Sequence, residues 1–92
     1  MNQNVTNRVW HSGLIVTYAP VQFPNIPLTH PLTVVNASGS TSHVYLGNAG
    51  VNTVYGVPLA INGVRDFVID NANLLWAVCQ SGFTADLRFY GG

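Results

Sequence analysis

Lysine and glutamate are absent from this 92-residue chain, and the charge that remains is Arg8, Arg65 and Arg88 against Asp66, Asp70 and Asp86. A protein that grips nucleic acid clusters Lys and Arg along the phosphates, so zero net charge without lysine argues against that partner. Cysteine occurs once, as Cys79, which excludes an internal disulfide. The longest apolar run, residues 74–79, is six residues long, far short of the roughly 18–20 that span a bilayer. No basic segment followed by an apolar one opens the chain, so no secretory signal is expected. No stretch keeps an apolar period of 3.6, so no amphipathic helix is expected either.

What is present is apolar and amide-rich. Hydrophobic residues make up 48% of the chain and charged ones 7%, where an ordinary soluble domain carries about 25% charge. A free monomer of that composition has little to keep it colloidally soluble, which implies a surface largely covered in an assembly. The length fits one domain over residues 1–92, and a chain of this size buries only about 60–65% of the surface that its unfolded form exposes.

The stretch that organises the rest is the last twenty or so residues. Leu74-Leu75-Trp76-Ala77-Val78-Cys79 is apolar at successive positions, as in a strand covered on both faces. Ala85, Leu87 and Phe89 then alternate with Asp86, Arg88 and Tyr90, the period-2 pattern of a strand with one buried face. With Gly82 between them, a residue tolerant of positive φ, the pair reads as a terminal hairpin. Inside that apolar strand Cys79 reads as a buried structural thiol, because a nucleophile needs an electropositive, partly exposed setting.

At the other end, residues 1–9 read as an extended arm, polar and rich in asparagine at first. Residues 5–10 and the β-branched run Leu14-Ile15-Val16-Thr17-Tyr18 suggest a first hairpin about His11 to Gly13. Residues 20–31 form a strap in which Pro20, Pro24, Pro27 and Pro31 recur among Val21, Phe23, Ile26 and Leu28. Neither a helix nor a central strand tolerates that spacing, so the strap is extended and partly polyproline-like. It either lies over its own core or reaches to another subunit.

Further strands are expected at residues 32–36, 42–46, 51–55 and 65–69. Turns separate them at residues 37–40 and 47–50, at the Gly56-Val57-Pro58-Leu59 bend, at Asn62-Gly63 (a strong two-residue hairpin signal) and at residues 70–73. Seven or eight short strands with such punctuation predict an all-β fold, a small antiparallel β-sandwich or barrel of jelly-roll-like character.

The order Val44-Tyr45-Leu46-Gly47, Gly56-Val57-Pro58-Leu59, Asp66-Phe67-Val68-Ile69, Asn73-Leu74-Leu75-Trp76-Ala77-Val78 and Ala85-Asp86-Leu87-Arg88-Phe89 resembles small β-rich virion proteins of tailed bacteriophages. In those proteins a strand ending in glycine, a Gly-x-Pro-Leu bend and a Leu-Tyr/Trp-Ala-Val strand before a terminal hairpin recur, and the resemblance covers about half the chain. It implies a protein that coats or cements the outer capsid surface, made in the host cytoplasm and without enzymatic role. Decoration proteins of that kind often form trimers at shell symmetry axes. The first half of the chain, with its proline strap, lies outside the resemblance.

Candidates for chemistry have plainer readings beside them. His11, His30 and His43 lack the spacing of a metal site and read as surface or hydrogen-bonded histidines. Asp66 and Asp70 would lie about 13 Å apart on one strand, too far for an acid–base pair. No Gly-x-Ser-x-Gly elbow is present. Asn4-Val5-Thr6 and Asn36-Ala37-Ser38 match the glycosylation sequon, which without a secretory signal is accidental. Among Trp10, Tyr18, Tyr45, Tyr55, Trp76 and Tyr90 most belong to core or interface, with sugar stacking as the alternative use.

The expected function is that of a capsid decoration protein, bound across neighbouring major capsid subunits as a homo-oligomer, with a trimer favoured and no cofactor, metal, nucleic acid or membrane involved. Its expected contact residues are Val5, Trp10, Val21, Phe23, Ile26 and Leu28, on the arm and the strap. A tail, neck or fibre-base component and a carbohydrate-binding receptor-recognition module are the alternatives.

Overall fold

The structure, a computed structural model, describes residues 10–91. The expected arm at residues 1–9, with Val5 and the Asn4 sequon, lies outside the described residues.

Eight strands form two antiparallel sheets: β1 (Trp10–Val16), β2 (Val21–Gln22), β3 (Leu32–Asn36), β4 (Val44–Gly47), β5 (Val57–Leu59), β6 (Val64–Phe67), β7 (Trp76–Val78) and β8 (Ala85–Gly91). One sheet runs β1-β8-β3-β6 and the other β2-β7-β4-β5. The pairs β1/β8, β2/β7, β3/β6 and β4/β5 are the rungs of one long hairpin closed between β4 and β5. Rolling that hairpin sets β8 beside β3 and β7 beside β4. This order is the eight-stranded jelly roll, and the expected all-β sandwich is what the chain forms.

Alternation decides the faces. In β3 Leu32, Val34 and Asn36 are buried while Thr33 and Val35 are half-buried on the outer side; in β8 Ala85, Leu87 and Phe89 are buried. Together with Val16, Phe23, Val44, Leu46, Leu59, Ala77 and Cys79 they make the core between the sheets. Its aromatic centre crosses from strap to sheet. Phe23 lies 4.8 Å from Phe89, and Trp10 meets Phe89 edge-on at 6.3 Å and 81°.

Four local expectations are corrected. The terminal hairpin does not form: β7 pairs with β2 and β4, and β8 with β1 and β3, so residues 79–84 cross between sheets. Gly82 does take positive φ, at 88°. The first hairpin is instead the single strand β1, in unbroken register with β8 from Trp10↔Gly91 to Val16↔Ala85. Residues 51–55 form a turn rather than a strand, because Asn52 Oδ1 accepts from the N–H groups of Val54 and Tyr55 at 2.9 and 2.8 Å. That local alternative outcompetes the β-branched side chains. At Asn62-Gly63 the turn forms, with Asn62 at φ 67°, yet β5 and β6 belong to different sheets.

The strap takes the intramolecular course. Val21 and Gln22 pair with Ala77 and Trp76, the Phe23 N–H donates to Leu75 O at 3.0 Å, the Leu28 N–H to Asp70 O at 2.9 Å, and the Ala72 N–H to Ile26 O at 2.9 Å. The prolines interrupt this stitching without breaking it, since they sit between the donors.

At one end of the sandwich the connections 17–20, 37–43, 60–63 and 79–84 are tied together. The Cys79 N–H donates to Thr17 O (2.8 Å), Ala37 N–H to Asp86 O (2.9 Å), Thr41 N–H to Thr84 O (2.9 Å) and Asn62 N–H to Asn36 O (2.6 Å). Asn36 is the buried polar residue at their centre. Its Nδ2 donates to Ser42 O at 3.1 Å and to Leu59 O at 3.0 Å, which links β3 in one sheet to the end of β5 in the other. A buried Asn36 is closed to glycosylation in this fold, in keeping with an accidental sequon.

Candidate interaction surface

At the opposite end, residues 28–31 of the strap and residues 68–74 lie side by side, held by the Leu28–Asp70 hydrogen bond and the Pro27↔Asn71 bridge. The one-turn 3-10 helix Ala72–Leu74 follows, capped by Asn71, whose Oδ1 accepts from the Asn73 N–H at 2.9 Å. The same Oδ1 also accepts from the Ile26 N–H at 3.1 Å, and Asn71 Nδ2 donates to Asn25 Oδ1 at 2.7 Å. One asparagine therefore fixes both walls. Because the tight turn sends Ala72 and Leu75 inward, Leu74 points out and is 55% exposed.

Between the walls runs an apolar groove of about 510 Å³, lined by Leu28, Pro31, Val68, Ile69 and Leu74, with Thr29, His30 and Asp70 at its polar rim. Val68 is 88% exposed. Leu28 and Ile69 are half-buried, so the floor rests on the core while the rim stands free. Thr29 Oγ1 and His30 Nδ1 lie 3.1 Å apart.

A second cleft lies on the outside of the β2-β7-β4-β5 sheet, where residues 48–56 fold back over it. Val51 packs against Gly47 and Gly56, and a Cβ on Gly56 would stand 2.6 Å from Asn52 O and 2.7 Å from the Tyr45 Cβ. Val78 is buried although it belongs to the outward row with Tyr45, which explains why residues 74–79 are apolar at every position. Gly56→Ala is expected to lose about 1–3 kcal/mol, the usual cost of overpacking against atoms that cannot swing away. Urea unfolding checks it, and a midpoint equal to that of the unsubstituted chain would mean that the loop does not press on the sheet. Beside this loop Tyr18, Asn52, Thr53, Gln80 and Ser81 surround about 300 Å³ of space. At its tip Tyr55 is 87% exposed.

Two of the carboxylates are held elsewhere. On the outer face of the β1-β8-β3-β6 sheet Arg88 grips Asp86 through Nε (3.0 Å) and Nη2 (2.8 Å), and Thr33 Oγ1 donates to Asp66 Oδ1 at 2.7 Å. The hydrogen bond from Arg88 holds the Asp86 carboxyl below the usual carboxylate range. Such an exposed pair adds little stability. Whatever it adds is present above the unfolded pKa and is lost as the pH falls through the folded one. Burial raises the Cys79 thiol above its ordinary pKa, and its Sγ lies 3.6 Å from His43 O, as suits a structural cysteine. Among the described residues no group of three or more His, Cys, Asp or Glu is placed to hold a metal ion.

Of the expected contact residues, Phe23 is corrected: at 1% exposure it belongs to the core and has no surface to give a partner. Trp10, Val21, Ile26 and Leu28 are half-buried against the core, and only Leu28 reaches the groove. The exposed rim, Val68 and Leu74, escaped the sequence reading. A signal existed for Val68, which the alternation Arg65-Asp66-Phe67-Val68-Ile69 assigns to the wet face. For Leu74 there was none, since a continuous apolar run hides which member a 3-10 turn will expel.

Fold and surface together define a small jelly-roll domain with an apolar groove at the loops of one end and exposed apolar side chains on loops and strands alike. No family model matches the sequence, and neither a curated protein nor a solved structure matches the chain.

Proposed function

We propose that this domain is a structural virion protein of the capsid decoration type, which docks its apolar groove on major capsid subunits of a phage head and stabilises the shell. The exposed Val68 and Leu74 rim carries the reading. Solvated branched side chains beside a groove of about 510 Å³, in a chain with 7% charge, are what a covered surface requires. Burial of apolar surface at roughly 25 cal/mol per Å² supplies the gross driving force. Engagement of a repeating lattice by several linked copies raises the effective concentration and offsets the cost of association. The phage assignment itself rests on the sequence resemblance.

The double substitution Val68→Asp, Leu74→Asp is expected to weaken binding to protein-depleted heads by at least about tenfold, since each residue buries about 1.5–3 kcal/mol of apolar side chain. Its unfolding midpoint should stay close to that of the unsubstituted chain, because both residues are exposed. Undiminished occupancy on heads, measured by quantitative gel analysis of purified particles, would sink the groove as the docking site.

The neutral cleft around Tyr18 favours a carbohydrate-recognition reading as the second choice. An exposed ring beside Asn52, Thr53, Gln80 and Ser81 offers stacking and amide hydrogen bonds without charge. Saturable binding of neutral monosaccharides by the isolated protein, without affinity for heads, would favour this reading over the first.

A further inference from the structure

Each sheet has two edges, and three of the four are blunted against pairing. β2 has two residues and lies between Pro20 and Pro24. β5 has three and carries Pro58, which lacks an N–H. β6 has four and carries the exposed charges Arg65 and Asp66. Short length, proline and charge are the usual means by which sheet edges avoid adding a foreign strand.

β1 has none of these. It runs for seven residues, Trp10-His11-Ser12-Gly13-Leu14-Ile15-Val16, with no proline and no formal charge. Its register with β8 is unbroken, so no bulge twists the edge away. Among the described residues no strand pairs with its outer side. Ile15 stands 65% exposed beside that edge, and Trp10 and Leu14 are only half-buried against the core.

We propose that the outer edge of β1 pairs antiparallel with β1 of a second copy about a two-fold axis at Gly13, which joins two four-stranded sheets into one of eight strands. A row of open N–H and C=O groups is complemented by another extended strand, whose hydrogen bonds do not depend on side chains. The second copy fits on three counts. The strand carries no formal charge, so self-pairing brings no like charges together. The axis sets Trp10 opposite Val16 and Ser12 opposite Leu14, so core-facing positions meet core-facing positions and the half-exposed tryptophan gains cover. On the outer face His11 meets Ile15, which covers an apolar side chain that otherwise stands in water. Such a contact is isologous and closes at two copies, so it does not propagate into fibres.

The contact is small. Seven residues span about 23 Å, and a single strand pair buries less than the roughly 1,200 Å² of stable interfaces. Dimer formation is therefore concentration-dependent. It goes beyond the decoration reading and does not require it, because head binding is measured separately.

The test uses the full chain. Sedimentation equilibrium over a wide concentration range should report a monomer–dimer equilibrium. In a mixture of isotope-labelled and unlabelled protein, filtered NMR should show cross-peaks from Gly13 of one copy to Gly13 of the other and from Ser12 to Leu14. The double substitution His11→Lys, Ile15→Lys places two pairs of like charges across the axis and should raise the dimer dissociation constant by at least about tenfold. Both residues are exposed, so the cross-peaks of the core residues Val34, Leu87 and Phe89 should persist. Ile15→Val should leave the equilibrium as it is. A monomer at every concentration, a trimer without cross-peaks between β1 strands, or a dimer indifferent to the double substitution would each overturn the proposal.

Discussion

Replacing Asn36 by aspartate is expected to cost about 3–5 kcal/mol at neutral pH, the range for a buried charge left without a partner. The unsubstituted chain has about 5–14 kcal/mol in total at typical per-residue values. The reason is geometric. Both groups that face the Asn36 Nδ2, Ser42 O and Leu59 O, are carbonyl oxygens and can only accept, so the amide must present its two N–H bonds there. A carboxylate in that place would be fully buried and would face two carbonyl oxygens, which are acceptors and carry no positive charge to offset its own. Nor is there a spare donor on the other side, since Asn36 Oδ1 is buried and has no hydrogen-bond partner among the described residues.

The effect should depend on pH with a definite sign. Burial raises the pKa of the introduced acid in the folded state above its unfolded value of about 3.9. Below about pH 4 both states hold the proton, and the neutral acid can donate one hydrogen bond, so the variant is at its most stable there. As the pH rises the unfolded chain releases its proton first, and stability falls until the folded pKa is passed. Thermal melts of the variant minus those of the unsubstituted chain, over a pH series, isolate this term because asparagine does not titrate. A flat difference, or one below about 1 kcal/mol, would mean that water reaches the site. Asn36→Ala serves as the uncharged comparison, with about 1–3 kcal/mol expected for each carbonyl left unpaired.

Phe89→Ala should lose about 3–5 kcal/mol, as large aromatic deletions in closed cores do. Phe89 is fully buried on β8, where its neighbours across the ladder are Ser12 on β1 and Val34 on β3. Its ring is also the one that Phe23 and Trp10 both touch. Deleting it leaves a cavity under the strap and removes the contact that ties β2 and the strap to the opposite sheet. Phe89→Leu, which keeps most of the volume, should cost under about 1.5 kcal/mol. Guanidinium unfolding distinguishes the two, with a lower midpoint and an unchanged slope for alanine. If alanine cost no more than leucine, the core would have to relax around the gap.

Particular residues show how far the sequence reached. The alternation of Ala85, Leu87 and Phe89 with Asp86, Arg88 and Tyr90 was enough to assign the faces of β8, and Gly82 marked a turn of positive φ. The all-β character followed from β-branched runs cut by Gly, Pro and Asn. Partners were another matter. The hairpin expected between β7 and β8 failed because a period of two tells which face is wet and says nothing about which strand lies alongside. Residues 51–55 have strand-like composition, yet the Asn52 side chain caps two backbone N–H groups and turns the chain. At the candidate site the same division holds: Leu28 was expected on apolar character and position in the strap, whereas the exposure of Leu74 depends on a 3-10 turn set by Asn71.

By itself, then, the sequence determined the strand faces, the turns, the lack of charge and the intrinsic restriction of the proline strap, because these depend on neighbours a few residues away. Only the tertiary structure decided that the long hairpin rolls into two sheets, that Phe23 goes inward, that Val68 and Leu74 stand out beside a groove, and that β1 is left with the open edge. Those outcomes depend on which distant surfaces exclude water from one another, and that competition is settled among all eight strands at once.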